Sequence, residues 1–523
     1  MVALHERAEV PAFHGLAGVA RRDVTPAAGI RARNWGPADW DVAEGAHRTL
    51  TLTAVALAEA GGEDVPLVIV AVDGTWWRRV DDERALRSTV LDALGLPAER
   101  LLVSLSHTHA GPVLCSADAD LPGGERGREY LDLLARAAAD AAREAVAGLR
   151  PAALEWTTAR CALASNRELL LDEGCGAGAE PPAAAVAARR PLVGFNPEAG
   201  TPRSPGADVA DDLVVIGRLS ALPAPGGTDA PDGSVGSGGP GASAAIAAAP
   251  LATIVNYACH PTTLAWQNRL VSPDYVGAMR DLVERETGAP VAFLQGASGE
   301  LAPRQQYTGE LDVADRHGLS LGHAVLGALA ALPPAGTELE LTGVVESGAP
   351  LAVWEPRAAT GADRPEARSL AALAAPVELD LRDLPTWDEL EAEWAGIDPR
   401  SRDERLRRAR NLRDGYVTGP TVEHPTWAWR VGEALLVAHP GEAYSRLQRT
   451  VRAHTPRPVV VANLTNGPGF VYLPTREAYD VGAYQAWQSP LAPGSLERLE
   501  DHARGLVDRL LAPTTRTTTS EDQ

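Results

Sequence analysis

The chain has 523 residues, 45% hydrophobic and 22% charged, so it can bury a large core and reads as a globular protein. Its formal net charge of −21 argues against a phosphate-tracking nucleic-acid surface, and the absence of lysine excludes a lysine Schiff base or a P-loop lysine. Residues 1–9 lack the basic and apolar regions of a secretory signal, and no run of 18 apolar residues offers a membrane span. Cys115, Cys161, Cys175 and Cys259 show no C-x-x-C spacing. These features together predict a cytoplasmic protein without stable membrane insertion.

In chain order, residues 18–26 read as a short strand ending in a turn, and residues 49–58 and 66–72 as further strands. Residues 81–94 have helical periodicity. The apolar run 101–105 reads as a buried strand that delivers Ser106-His107-Thr108-His109-Ala110-Gly111-Pro112. In an extended segment residues i and i+2 project to one side, so His107 and His109 are expected to face one cavity. Two neutral imidazoles there suit a zinc ion, or one ligand plus one proton-transfer or oxyanion group; the alternative is a pair of hydrogen-bonded loop histidines. Residues 126–148 form an amphipathic helical pattern.

Two low-complexity stretches, about 173–190 and 220–249, have the composition of mobile loops. The second reads as the overgrown tip of a hairpin between 213–217 and 251–255. The strand at 253–259 ends on His260-Pro261, and a helix over 274–287 leads to a strand at 290–295 that ends in Gly296 to Pro303. Residues 311–332 read as a helix, and 386–395 and 399–415 as charged surface helices with a solvated face rather than a binding patch. A strand at 433–438 ends in His439-Pro440-Gly441-Glu442, and one at 458–463 ends in Asn466-Gly467-Pro468-Gly469, with Tyr472 opening the next segment. The tail at 513–523 is polar and expected to be disordered.

The recurring pattern is an apolar strand that ends in Gly/Pro-punctuated residues bearing His, Glu, Asn or Tyr. In α/β sheets ligands bind beyond the carboxyl ends of strands. His107, His260 and Glu442 would then form a two-histidine, one-carboxylate zinc set that leaves a position open for water. No H-E-x-x-H helix is present, which excludes the helical metalloprotease site.

Several of these segments carry a resemblance. Gly18 with Asp23, Thr25 and Pro26, the run 106–112, Ser165-Asn166-Arg167, Asn256 to Pro261, Gln295 to Pro303, Gly441-Glu442, and Tyr472 to Tyr479 resemble the neutral ceramidase family, in the family's order. The resemblance implies a mixed α/β catalytic domain over residues 15–512, with mixed sheets flanked by helices. It also implies a zinc-dependent amidase that splits an N-acyl bond with a metal-bound water. By residue, it implies His107, His260, Glu442 and Tyr472 as zinc ligands, with Tyr479 as the alternative tyrosine. His109 matches the family's second active-site histidine and Arg167 an arginine near the site.

The chain departs from that family in two places. Gly299-Glu300-Leu301-Ala302-Pro303 puts Ala302 where characterised ceramidases have their active-site serine, and Ser298 lies four residues earlier. The chain also ends where secreted members add an immunoglobulin-like domain. The expected partner is a small-molecule acyl-amide substrate, and the same groups would serve amide formation in reverse. An esterase or lactonase with the same zinc site, or a non-catalytic scaffold, are the alternative readings.

Overall fold

The computed structural model describes residues 6–61, 65–169, 192–201, 209–223, 248–359 and 361–512. The tail from 513 and almost all of both low-complexity stretches lie outside these residues. At its two described ends the second stretch is partly strand, since pairing continues to Ala221 and resumes at Ala249.

The larger sheet has eight strands: β1 (Ala12–Asp23), β2 (Thr51–Ala58), β3 (Leu67–Val72), β4 (Leu101–Leu105), β5 (Arg150–Arg160), β6 (Leu213–Ala221), β7 (Ala249–Tyr257) and β8 (Val291–Gln295). Their spatial order is β8-β7-β6-β5-β1-β2-β3-β4. The centre is antiparallel, and each edge is a parallel pair, β3 with β4 and β7 with β8. Parallel neighbours need a crossover, and each edge has one: α1 (Val80–Leu94) joins β3 to β4, and α3 (Tyr275–Thr287) joins β7 to β8. Between them α2 (Gly124–Ala147) lays its alanine-rich face on β1 and β2, burying Ala138, Ala141, Ala142 and Ala145. The contact is close: a Cβ at Gly18 would lie 2.0 Å from the Ala145 carbonyl oxygen.

The second sheet has four strands, β9 (Leu370–Asp380), β10 (Thr421–Val431), β11 (Ala434–Ala438) and β12 (Val459–Ala462), with β11 and β12 parallel. Its apolar faces share one cluster with the large sheet through Trp429, Leu436 and Val460, and another with a helix over Ser495–Leu511. Asn256 on β7 ties the sheets together, its Nδ2 donating to Leu294 O at 3.0 Å and Val461 O at 2.9 Å.

The segment after β12 positions the site. Asn463 N donates to Gln295 O at the end of β8 (2.9 Å), and Leu105 N at the end of β4 donates to Leu464 O (3.1 Å). Asn466 then pairs along β4: its backbone N reaches Val103 O, Val103 N reaches its Oδ1, and its Nδ2 reaches Leu101 O, all at 2.9 Å. Four residues of chain therefore join the carboxyl ends of the two opposite edges of the large sheet.

Candidate functional site

A polar cluster sits just beyond those joined edges. His107 comes two residues after β4, His260 three after β7, the 296–303 turn directly after β8, and Glu442 four after β11. Leu464 N also donates to Gly441 O, fixing the Glu442 turn against the same segment. The ring centroids of His107 lie 4.8 Å from His109 and 4.6 Å from His260.

The route to this arrangement differs from the expected one in one respect. His107 has φ +67°, the left-handed region, so the segment is not extended and strand alternation is not what turns His107 and His109 to one side. The bend instead lets the His107 Nδ1 donate to Thr75 O at 3.1 Å. The His260 Nδ1 likewise donates to Ser298 O at 2.7 Å and Leu301 O at 3.1 Å. Each donation leaves an Nε2 lone pair, and both Nε2 atoms point at the same atom, Glu442 Oε2, from 3.1 Å and 3.0 Å. Three acceptors thus face one another with no proton of their own to share.

Electrostatics keeps His260 and Glu442 in that state. Burial, aided by the Arg167 charge, pushes the His260 imidazole down to about 3. His109 is pushed well below its ordinary value by burial and by its histidine neighbours. Burial opposes ionisation of Glu442, but His107 and His260 outweigh it and hold the carboxyl well below the usual range. Such a donor set fits a cation: oriented imidazole lone pairs, an ionised carboxylate, and carbonyls fixing the far ring nitrogens. One ring nitrogen from each of His107, His109 and His260 lies within 4.8 Å of the other two.

Tyr472 opens a two-residue strand paired with Glu442–Ala443, and its ring stacks on His260 at 6.4 Å. Arg167 Nη2 lies 3.2 Å from the Tyr472 hydroxyl, 3.2 Å from His260 Nε2 and 2.7 Å from Gly299 O. Burial disfavours its charge, yet Tyr472, Tyr307 and Glu442 favour it more, so the guanidinium stays cationic. Tyr479 is elsewhere, its hydroxyl donating to Leu491 O. Ala302 is buried in the pairing of 301–303 with 164–166, and the Ser298 hydroxyl accepts from Gln295 Nε2.

His107, His109, Glu442 and Tyr472 line a cleft of about 830 Å³, while His260 and Arg167 stand behind that lining. Trp35 and Trp76 flank His109, each with its ring 5.1 Å away, and both His109 ring nitrogens are buried without a hydrogen-bond partner among the described residues. The far wall corrects the solvated-face reading of the two charged helices. Residues of Trp387–Glu393 (α4) and Pro399–Arg413 (α5), with the turn between them, contribute Leu390, Trp394, Arg405, Arg408 and Leu412 to the cleft. Part of their charge is turned inward: Glu404 is buried and pairs with Arg408 at 2.6 Å, and Arg408 lies over the Trp76 ring. The aromatic lining carries no sequence signal, because isolated tryptophans in loops have no periodicity to read.

The chain matches neutral ceramidase from Pseudomonas aeruginosa with a TM-score of 0.60 and 17% identity, covering 97% of this chain and 76% of that one. A structure of a ceramidase complexed with C2 matches at the same TM-score and identity, over 96% and 76% of the two chains. No protein-family model and no curated protein sequence matches. At this identity the likeness is one of architecture, and it agrees with the order of motifs along the sequence: the chain has a neutral ceramidase-like fold.

Proposed function

We propose that this chain is a metal-dependent hydrolase of an N-acyl amide bond, with zinc held by His107, His260, Glu442 and Tyr472. The observation that carries the reading is the convergence of two imidazole lone pairs on one ionised carboxylate oxygen at the floor of the cleft. When bound, a zinc ion supplies Lewis acidity and lowers the pKa of coordinated water.

The chain's own residues do the rest. Thr75, Ser298 and Leu301 carbonyls hold both ligand histidines in the Nδ1–H tautomer, so each presents Nε2. Arg167 orients the Tyr472 hydroxyl and adds fixed positive charge behind the site. His109 is neutral, lines the cleft and has both ring nitrogens uncommitted among the described residues. It serves as hydrogen-bond donor to the scissile carbonyl oxygen or the leaving nitrogen, a role worth on the order of 10²–10⁴-fold. Trp35 and Trp76 keep water from that face of the imidazole. Ala302 offers no hydroxyl for an acyl-serine route, and the Ser298 hydroxyl is engaged with Gln295.

The test is turnover of a panel of N-acyl amides, with matched esters, before and after chelator treatment. The reading predicts amide cleavage that is lost on chelation and restored by zinc. Cleavage of esters alone would move it to the esterase or lactonase class, and turnover insensitive to chelation would refute it.

A further inference from the structure

The cleft wall opposite the histidines carries several arginines, and their commitments differ. Arg408 is paired with Glu404, Arg413 Nη2 donates to Pro385 O at 2.8 Å, and Arg382 Nη2 donates to Trp487 O at 2.8 Å. Arg405 has neither a hydrogen bond nor an ion pair to any described residue; its guanidinium rests on two indoles, 5.2 Å from the Trp487 ring centroid and 5.9 Å from that of Trp394. Two acids act on its charge without pairing with it: Glu404, which pairs with Arg408 at 2.6 Å, and Glu393, which accepts from Trp487 Nε1 at 3.3 Å. Arg405 is half-buried and lines the cleft.

A continuous aromatic wall connects this cation to the candidate metal site. Tyr472 contacts Tyr484 at 6.0 Å, Tyr484 contacts Trp487 at 6.1 Å, and Trp487 carries the Arg405 guanidinium. An arginine pressed against rings has lost much of its side-chain freedom before any ligand arrives, and its N–H groups match a carboxylate. We infer that Arg405 is a specificity-determining residue that binds a carboxylate on the substrate, so that the preferred substrates are N-acyl amides whose amine part is acidic, as in N-acyl amino acids. This rests on the hydrolase reading of the site. The aromatic wall would carry the linking atoms and Arg405 would end the polar arm.

The test uses the full chain with N-dodecanoyl derivatives of glycine, glutamate and 6-aminohexanoate, each beside its neutral carboxamide analogue. Both kcat/KM and the dissociation constant, from fluorescence of the tryptophans at the site, are measured for wild type, Arg405→Gln and Arg405→Lys. Wild type is expected to favour at least one carboxylate over its neutral partner by tenfold or more. Arg405→Gln should reduce that ratio by roughly ten- to a hundredfold, the size of a lost charge-assisted hydrogen bond, and Arg405→Lys should retain part of it. An equal ratio in wild type and Arg405→Gln, with melting curves unchanged, overturns the inference while leaving amide hydrolysis standing. If no compound is turned over, the binding ratios still decide: a carboxylate preference lost in Arg405→Gln keeps Arg405 and removes the hydrolase reading, and its absence removes both.

Discussion

Asn466 is where the closure of the large sheet is most exposed to a single change. Its backbone lies in the left-handed region, with φ +55°, and it is fully buried. Its side chain accepts from Val103 N and donates to Leu101 O, so one amide satisfies two backbone groups of the edge strand that delivers His107. Replacing it with alanine leaves that buried N–H and C=O unpaired, at about 1–3 kcal/mol each, and forces a Cβ-bearing residue without a compensating polar side chain to hold a left-handed φ for about 1 kcal/mol. We expect Asn466→Ala to cost about 3–7 kcal/mol. Asn466→Gly should cost about 1 kcal/mol less, because glycine tolerates the conformation but restores neither hydrogen bond. Equilibrium urea unfolding followed by tryptophan fluorescence measures the loss, and hydrogen exchange should show the Val103 amide losing protection. A cost below about 1 kcal/mol for alanine, or glycine as damaging as alanine, would refute this account of how the edges are joined.

The packing of α2 and the burial of Glu300 each give a further expected outcome. Gly18→Ala places a methyl 2.0 Å from Ala145 O, so α2 must shift from the sheet; we expect a loss of about 2 kcal/mol or more in urea unfolding with metal content unchanged, and a neutral effect would contradict the packing. Glu300 is buried and its carboxyl is pushed up to about 7, chiefly by burial, although Ser445 donates to it. The shift is upward, so the stability it contributes is fully present below about 4.5 and fades as pH rises through 7. Wild type should lose on the order of 3 kcal/mol relative to Glu300→Gln between pH 4.5 and 8, and a pH-independent difference would refute it.

Much of this fold is legible locally. Strands such as 101–105 and 291–295 are short apolar runs, the second bounded by Pro290 and Gly296 and the first running into the polar 106–112 segment, and each meets its expectation within a residue or two. The catalytic candidates stand out for the same reason, as His107, His260 and Glu442 come soon after strands. What local pattern does not contain is the joining of the two sheet edges by 463–466, which rests on hydrogen bonds between residues more than 150 positions apart. It does not contain the left-handed turn at His107 either, since that φ is held by the Thr75 carbonyl rather than by any sequence signal. The solvated-face expectation for α5 fails for a physical reason. An arginine-rich helix looks solvated unless its acids are known to face inward, and Glu404 does so. Arg167 is recognisable only through its motif, because a lone arginine after a short strand gives no hint that it reaches a tyrosine 305 positions away.

The most direct test of the central claim is the zinc content of the purified chain and four variants, measured by mass spectrometry of the metal. The account predicts about one zinc per chain in wild type, little in His107→Ala, His260→Ala and Glu442→Gln, and near-full occupancy in His109→Ala with turnover lost. Full occupancy in the first three variants, or loss of the metal in His109→Ala alone, would contradict it.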